Sequence, residues 1–130
     1  MNDLNRVLLM GRIGKDPELR TTQTGKTVGH FSLCTNRGIR TADGAWDDVP
    51  EWHKVVVWQK HAENAGRILG KGDKVFVEGD LRYSKWTDPS GQKRTSSEVV
   101  AQRWELVQKK YRPETGDETP SEQDPSAVPF

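Results

Sequence analysis

The chain has 130 residues, enough for one domain with a modest core and too few for two full ones. Its 20 Lys and Arg nearly balance 19 Asp and Glu, and only 32% of residues are hydrophobic, yet five are Trp, so the indoles are not all expected in the core. The single cysteine, Cys34, excludes an intrachain disulfide framework, and no apolar run approaches the ~18 residues of a membrane span. The first residues hold an early acid, Asp3, and no apolar segment, so neither a secretory signal nor a transit peptide is expected. A free thiol in a reducing cytoplasm is the expected setting. The charge is unevenly spread: residues 1–112 carry all 20 basic side chains against 14 acids, while residues 113–130 carry five acids and no base. A basic body joined to an acidic tail attracts a polyanion through the body alone.

Leu4 to Ile13 mixes apolar residues with Arg6 and Arg12 and ends at Gly14, the pattern of a first strand. Lys15-Asp16-Pro17-Glu18 is a turn. After a polar stretch, Thr27 to Thr35 alternates Phe31 and Leu33 with Ser32 and Cys34, predicting a second strand. Asn36 to Pro50 reads as a long polar loop around Trp46, of a length that is usually functional or disordered in a small domain. Glu51 to Trp58 is a third strand by its β-branched run. Ala62, Ala65, Ile68 and Leu69 then fall at helical spacing, predicting a short helix over Lys60–Leu69 capped by Gly70. Lys74 to Tyr83 is a fourth strand, with Gly79 marking a bulge or bend. Lys85 to Arg94 reads as a hairpin tip around Asp88-Pro89-Ser90-Gly91, and Thr95 to Val107 as a fifth strand. Three strands, a helix and two strands is the order of the OB-fold. The expectation is therefore an all-β, five-stranded OB-fold barrel over residues 1–110, with one short helix between strands 3 and 4. Residues 111–130 hold four prolines and five acids without periodicity, and are expected to form a disordered acidic tail. That tail ends in Pro129-Phe130, an apolar terminus of the kind that docks as a peptide on another protein.

Strand alternation gives the third strand two unlike faces. Trp52, Lys54, Val56 and Trp58 share one, and His53, Val55 and Val57 the other. The two indoles stand roughly 20 Å apart, six residues at ~3.3 Å each, too far to pack as one core pair. Single-stranded nucleic acid suits such a face, because every base offers a π-surface and every phosphate a charge. Burial is the competing role, since tryptophan is mostly buried in folded proteins. Trp86 at the hairpin tip, beside Lys85, has little core to enter and favours a stacking platform; Trp46 fits either role, and Trp104 fits packing or a subunit contact. Arg12, Arg20, Arg37, Arg40, Lys54, Lys60, Arg82 and Lys85 are candidate phosphate contacts.

Two apparent motifs fail on their surroundings. Gly25-Lys26-Thr27 lacks the upstream glycine of a phosphate-binding loop, Arg20 standing in its place, and a strand rather than a helix follows. His61-Ala62-Glu63 opens a zinc-deaminase signature whose two-cysteine half one cysteine cannot supply. No nucleophile–base pair stands out, so no catalytic residue, metal or cofactor is expected.

Glu51 to Trp58, Lys71-Gly72-Asp73 through Arg82, Lys85-Trp86-Thr87-Asp88-Pro89-Ser90-Gly91 and Ser97-Glu98-Val99-Val100 together closely resemble the bacterial single-stranded DNA-binding protein family. Asn5-Arg6-Val7 and Gly11 to Glu18 are similar to that family's first strand and turn, so the resemblance runs in order from residue 1 to about 108. It implies an OB-fold, a homotetramer, and cytoplasmic, nucleoid-associated binding of single-stranded DNA without sequence preference in replication, recombination and repair. It places base stacking on Trp52, Trp58 and Trp86, and a subunit interface at His53. A further stacking tryptophan of many members would align near Ile39, which leaves Trp46 as a possible substitute. Replication and repair partners are implied at the Pro129-Phe130 end, although Asp124 to Val128 lacks the family's run of consecutive acids. An RNA-binding OB domain and a protein-interaction adaptor of the primosomal type are the rival readings.

Overall fold

In the computed structural model, which describes residues 2–110, the elements follow as β1 (Val7–Ile13), β2 (Glu18–Thr21), β3 (Thr27–Arg40), β4 (Trp46–Trp58), α1 (Lys60–Ile68), β5 (Lys74–Thr87) and β6 (Lys93–Gln108). The expectations for residues 111–130, Pro129 and Phe130 included, lie outside the described residues. The sheet order is β1-β5-β6-β4-β3-β2, and pairing of β1 with β3 through Arg12↔Cys34 and Ile13↔Leu33 closes five of these strands into a barrel. Every pairing is antiparallel except β4 with β6, which run parallel at Val55↔Val99 and Val56↔Val100. This is the OB-fold. Among the described residues no helix is long and apolar enough to cross a membrane.

Alternation drives the closure. Ile13, Phe31, Leu33, Val55, Val57, Val75, Val77, Val99 and Ala101 point inward to form one core, and α1 adds Ala62 and Ala65 to it. Val55 and Val57 are fully buried, and each contributes about 1.5–3 kcal/mol by leaving water. Trp104 packs partly buried against this core, its indole Nε1–H donating to the His61 carbonyl at 3.1 Å. At Gly79 the β5–β6 register shifts, and a Cβ there would stand 2.2 Å from the Val100 carbonyl oxygen, so the expected irregularity is a close backbone crossing that needs glycine.

Four expectations are corrected. The helix lies between strands 4 and 5, because Glu18–Thr21 forms an additional strand paired with β3 from Glu18↔His30 to Thr21↔Thr27. Its four side chains are all exposed, so it carries no apolar signal. The stretch 36–50 is not a loop: β3 and β4 pair without a break from Val28↔Trp58 to Arg40↔Trp46, leaving only a tight turn in which Thr41 N–H donates to the Ala45 carbonyl at 2.8 Å. The stretch is polar because the hairpin projects beyond the core and most of its side chains meet solvent. Likewise β5 and β6 extend to Thr87↔Lys93, so Trp86 sits in a paired strand opposite Arg94 rather than in the turn. Finally, α1 ends in extended backbone at Leu69 with φ −94°, and Gly70 does not provide a left-handed cap.

What secures the end of α1 is Asp73. Its buried carboxylate accepts hydrogen bonds from Gly70 N–H at 2.8 Å, Lys110 N–H at 2.9 Å and the Lys109 ammonium at 2.9 Å, tying the turn before β5 to the end of β6. Burial pushes this carboxyl up, but the three donors together outweigh it and hold the group below its ordinary value. A carboxyl depressed in the folded state stabilises above its unfolded pKa and loses that contribution as pH falls through its lower folded value. We expect Asp73→Ala to cost about 2 kcal/mol or more at pH 7, with the difference from the parent shrinking below about pH 4. Urea unfolding at both pH values checks this; an equal deficit at both would contradict it.

Candidate nucleic-acid interface

The inward valines of β4 dictate what its other side presents. Trp46, Trp52 and Trp58 lie on the outer face at 68%, 58% and 39% exposure, and Trp86 on β5 at 50%. Register with β3 sets their neighbours: Arg40 beside Trp46, Cys34 beside Trp52, Ser32 beside Lys54, and Val28 beside Trp58. Each indole has its own support. The Arg40 guanidinium lies 5.2 Å from the Trp46 ring centroid, a cation–π contact that holds the ring out from the hairpin. Trp52 rests over Gly14, where a Cβ would fall 2.5 Å from Cζ3 of the indole, so the bare glycine is what lets the ring lie there. Trp58 forms one wall of an open groove of ≈ 520 Å³ that also includes Arg20, His30, Lys54, Val56 and Glu98.

The candidate phosphate contacts divide by their present partners. Lys54 faces Glu98 at 3.7 Å, Arg37 meets Glu51 at 3.2 Å, and Arg82 meets Asp80 at 3.2 Å. Arg12 donates to the Gly72 carbonyl at 3.0 Å, away from the Trp58 groove, while Arg20, Lys60 and Lys85 are exposed on β2, at the start of α1 and on β5. Exposed pairs of this kind are worth at most about 1 kcal/mol, so an incoming phosphate exchanges partners with them at small cost. The groove also brings together His30 and Glu18, whose Nε2 and carboxylate stand 3.4 Å apart, and neither was a sequence candidate.

His53 takes the inward parity. It is half-buried, paired across the sheet with Leu33, and its Nε2 lies 2.9 Å from the Thr35 hydroxyl. Lys85 and Trp86 are adjacent in sequence but alternate in direction, so they stand on opposite faces of the β5–β6 hairpin. The hairpin turn is built around Asp88, whose carboxylate accepts from the Ser90 hydroxyl at 2.6 Å, Arg94 Nε at 2.8 Å and Gln92 N–H at 2.9 Å. The Ser90 hydroxyl first, then Arg94 and the Gln92 amide, lower this carboxyl to about 2. Gly25-Lys26-Thr27 closes the β2–β3 turn, with Thr22 N–H donating to the Lys26 carbonyl at 2.8 Å, and strand β3 rather than a helix continues from it. Tyr83, exposed on β5, and Leu8 and Met10, exposed on β1, are surface features that the sequence reading missed. The signal for Leu8 and Met10 was strand parity, both alternating with the inward Val7 and Leu9, whereas Tyr83 shares the inward parity of Val75 and Val77 and is exposed because β5 continues past the core.

A closed OB barrel that turns indoles and cations outward along one strand pair belongs to the oligonucleotide-binding class of this fold. Comparison with known proteins narrows the class: residues 4–107 match the single-strand binding protein family, and the chain belongs to that family. It is 38% identical over 104 residues to a curated single-stranded DNA-binding protein of Xanthomonas axonopodis pv. citri (strain 306), covering 80% of this chain and 58% of that relative's length. Among solved structures it is similar to a Plasmodium falciparum SSB in complex with ssDNA (TM-score 0.71, 29% identity, 82% of this chain and 96% of the other). It is also similar to a deletion mutant of the single-stranded DNA binding protein from Thermus aquaticus (TM-score 0.69, 30% identity, 81% of this chain and 51% of the other).

The seat of Trp52 is open to a direct check. Gly14→Ala should drive the indole off β1, changing the near-ultraviolet circular dichroism and the tryptophan emission of the free protein while the far-ultraviolet spectrum stays that of the parent. An unchanged near-ultraviolet spectrum would show that the ring does not depend on this glycine.

Proposed function

We propose that this chain binds single-stranded DNA without sequence preference, stacking bases on Trp52, Trp58 and Trp86, with Trp46 as a fourth platform, and meeting phosphates with Arg20, Arg37, Arg40, Lys54, Lys60, Arg82 and Lys85. The observation that carries this reading is the outward alternation of Trp52, Lys54 and Trp58 on a strand whose opposite parity places Val55 and Val57 in the core. Stacking supplies roughly 1–3 kcal/mol per base whatever the base, and phosphate contacts add a term that falls with salt. Family membership and the likeness to an SSB bound to ssDNA support the choice of polymer. Arg12 belongs to this set only as a peripheral contact, since its guanidinium is held at the Gly72 carbonyl.

The finer reading is that the protein works as a homotetramer with His53 near a subunit contact, shields single strands in the cytoplasm, and presents them during replication, recombination and repair. Its C-terminal residues Pro129 and Phe130 are proposed to recruit partner proteins. Exposed apolar Leu8 and Met10 on β1 are consistent with a subunit contact on that face.

Binding of a fluorescent oligo(dT), followed by anisotropy at several salt concentrations, tests the reading. Trp52→Ala and Trp86→Ala should each weaken binding about tenfold, and the parent should lose affinity steeply as salt rises. Unchanged affinity in both variants would sink the stacking account, and tighter binding of oligo(rU) than of oligo(dT) at equal length would favour RNA as the substrate.

A further inference from the structure

The β5–β6 hairpin has two faces that part company once it leaves the barrel. Leu81 and Val99 form the last inward pair, with Val99 still in the core. Beyond them the inner face continues past the rim into solvent, carrying Tyr83, Lys85 and Thr87 on β5 and Ser97, Thr95 and Lys93 directly opposite on β6. The outer face carries Arg82, Ser84 and Trp86 opposite Glu98, Ser96 and Arg94. Tyr83 is 67% exposed, more than Trp86, so it covers no core.

The two faces differ in charge. On the outer face Arg82 is held by Asp80 at 3.2 Å and Arg94 by Asp88 at 2.8 Å. The rear face has no acid, and neither Lys85 nor Lys93 has an ion-pair partner among the described residues. Along a strand Tyr83 and Lys85 are neighbours on one face about 7 Å apart, and Lys93 lies diagonally across from Lys85. An exposed ring with two ammonium groups on its turn side, on a surface without carboxylates, has the chemistry that stacks a base and neutralises the phosphates that follow it. The turn is already fixed by Asp88, so this surface is ordered before any ligand arrives.

We infer that the rear face of this hairpin is a second single-strand contact, in which Tyr83 stacks a base and Lys85 and Lys93 take phosphates on its turn side, so that a bound strand engages both sides of the hairpin. This rests on the proposed function and extends it to residues outside the tryptophan face. Because the two faces are back to back, only a strand long enough to pass around the hairpin, or two strands, occupies both.

The test is anisotropy of the full chain with a short and a long oligo(dT), comparing Tyr83→Ala, Tyr83→Phe, the double variant Lys85→Gln/Lys93→Gln, and Trp86→Ala as reference. The inference expects Tyr83→Ala to weaken the long oligonucleotide about tenfold and the short one much less, with Tyr83→Phe restoring parent affinity. The double lysine variant should reduce the slope of log affinity against log salt by about 1.4, two phosphates at ~0.7 each. Parent-like binding by Tyr83→Ala at both lengths, with Trp86→Ala weakened, would overturn the inference while leaving the proposed function standing. A change in molar mass by light scattering with unchanged DNA affinity would assign the face to a subunit contact instead, and overturn it equally. Failure of the parent itself to bind oligo(dT) would remove the proposed function and the inference together.

Discussion

The register between β3 and β4 is the constraint on which the rest of the molecule hangs. With Phe31 opposite Val55 and Gly29 opposite Val57, the two valines fill the barrel and Trp52, Lys54 and Trp58 necessarily face out. A slip of one residue would reverse every side chain of β4, sending a lysine and two indoles into a space shaped for valines. It would also expose Val55 and Val57, at about 1.5–3 kcal/mol each. The core therefore orients the binding face, and its exposed indoles are specified as firmly as the interior.

The same barrel projects two hairpins, β3–β4 and β5–β6, and builds them alike. Each carries an exposed indole beside an arginine, Trp46 with Arg40 and Trp86 with Arg94, in cross-strand pairs one or two residues from the turn. Each turn is closed on an aspartate. Asp43 is lowered by the Thr41 hydroxyl and the Ala45 amide, and Asp88 by the Ser90 hydroxyl and Arg94, so both stay ionised as acceptors well into acid. Gly44 and Gly91, at φ 88° in both turns, make these reversals possible. Arms ordered in this way lose little conformational entropy when a strand settles on them.

Much of this was legible because it follows from alternation. Val55 and Val57 against Trp52 and Trp58, the strand around Val75 and Val77, the helix at Ala62 and Ala65, and the irregularity at Gly79 each leave a mark in the sequence that burial explains. What was hidden is what buries nothing. β2 is exposed at all four positions, and the outer half of the β3–β4 hairpin is mostly solvated, so polarity there resembled turn and loop. The face that each residue of the β5–β6 hairpin takes was not part of the sequence reading: Lys85 is next to Trp86 in the chain and on the opposite face of β5. The ion pairs Lys54–Glu98, Arg37–Glu51 and Arg82–Asp80 join residues brought together by register, turn or bulge geometry, which composition does not encode.

The central claim is that four indoles face a ligand while the fifth serves the core. Trp104 is the internal reference, because its Nε1–H is already committed to the His61 carbonyl. The most direct measurement is the NMR spectrum of the indole Nε1–H groups, assigned by single Trp→Phe variants and followed through a titration with oligo(dT). The account predicts that the signals of Trp46, Trp52, Trp58 and Trp86 move or broaden while that of Trp104 stays in place. A titration that shifts Trp104 and leaves Trp52 and Trp58 unmoved would contradict it.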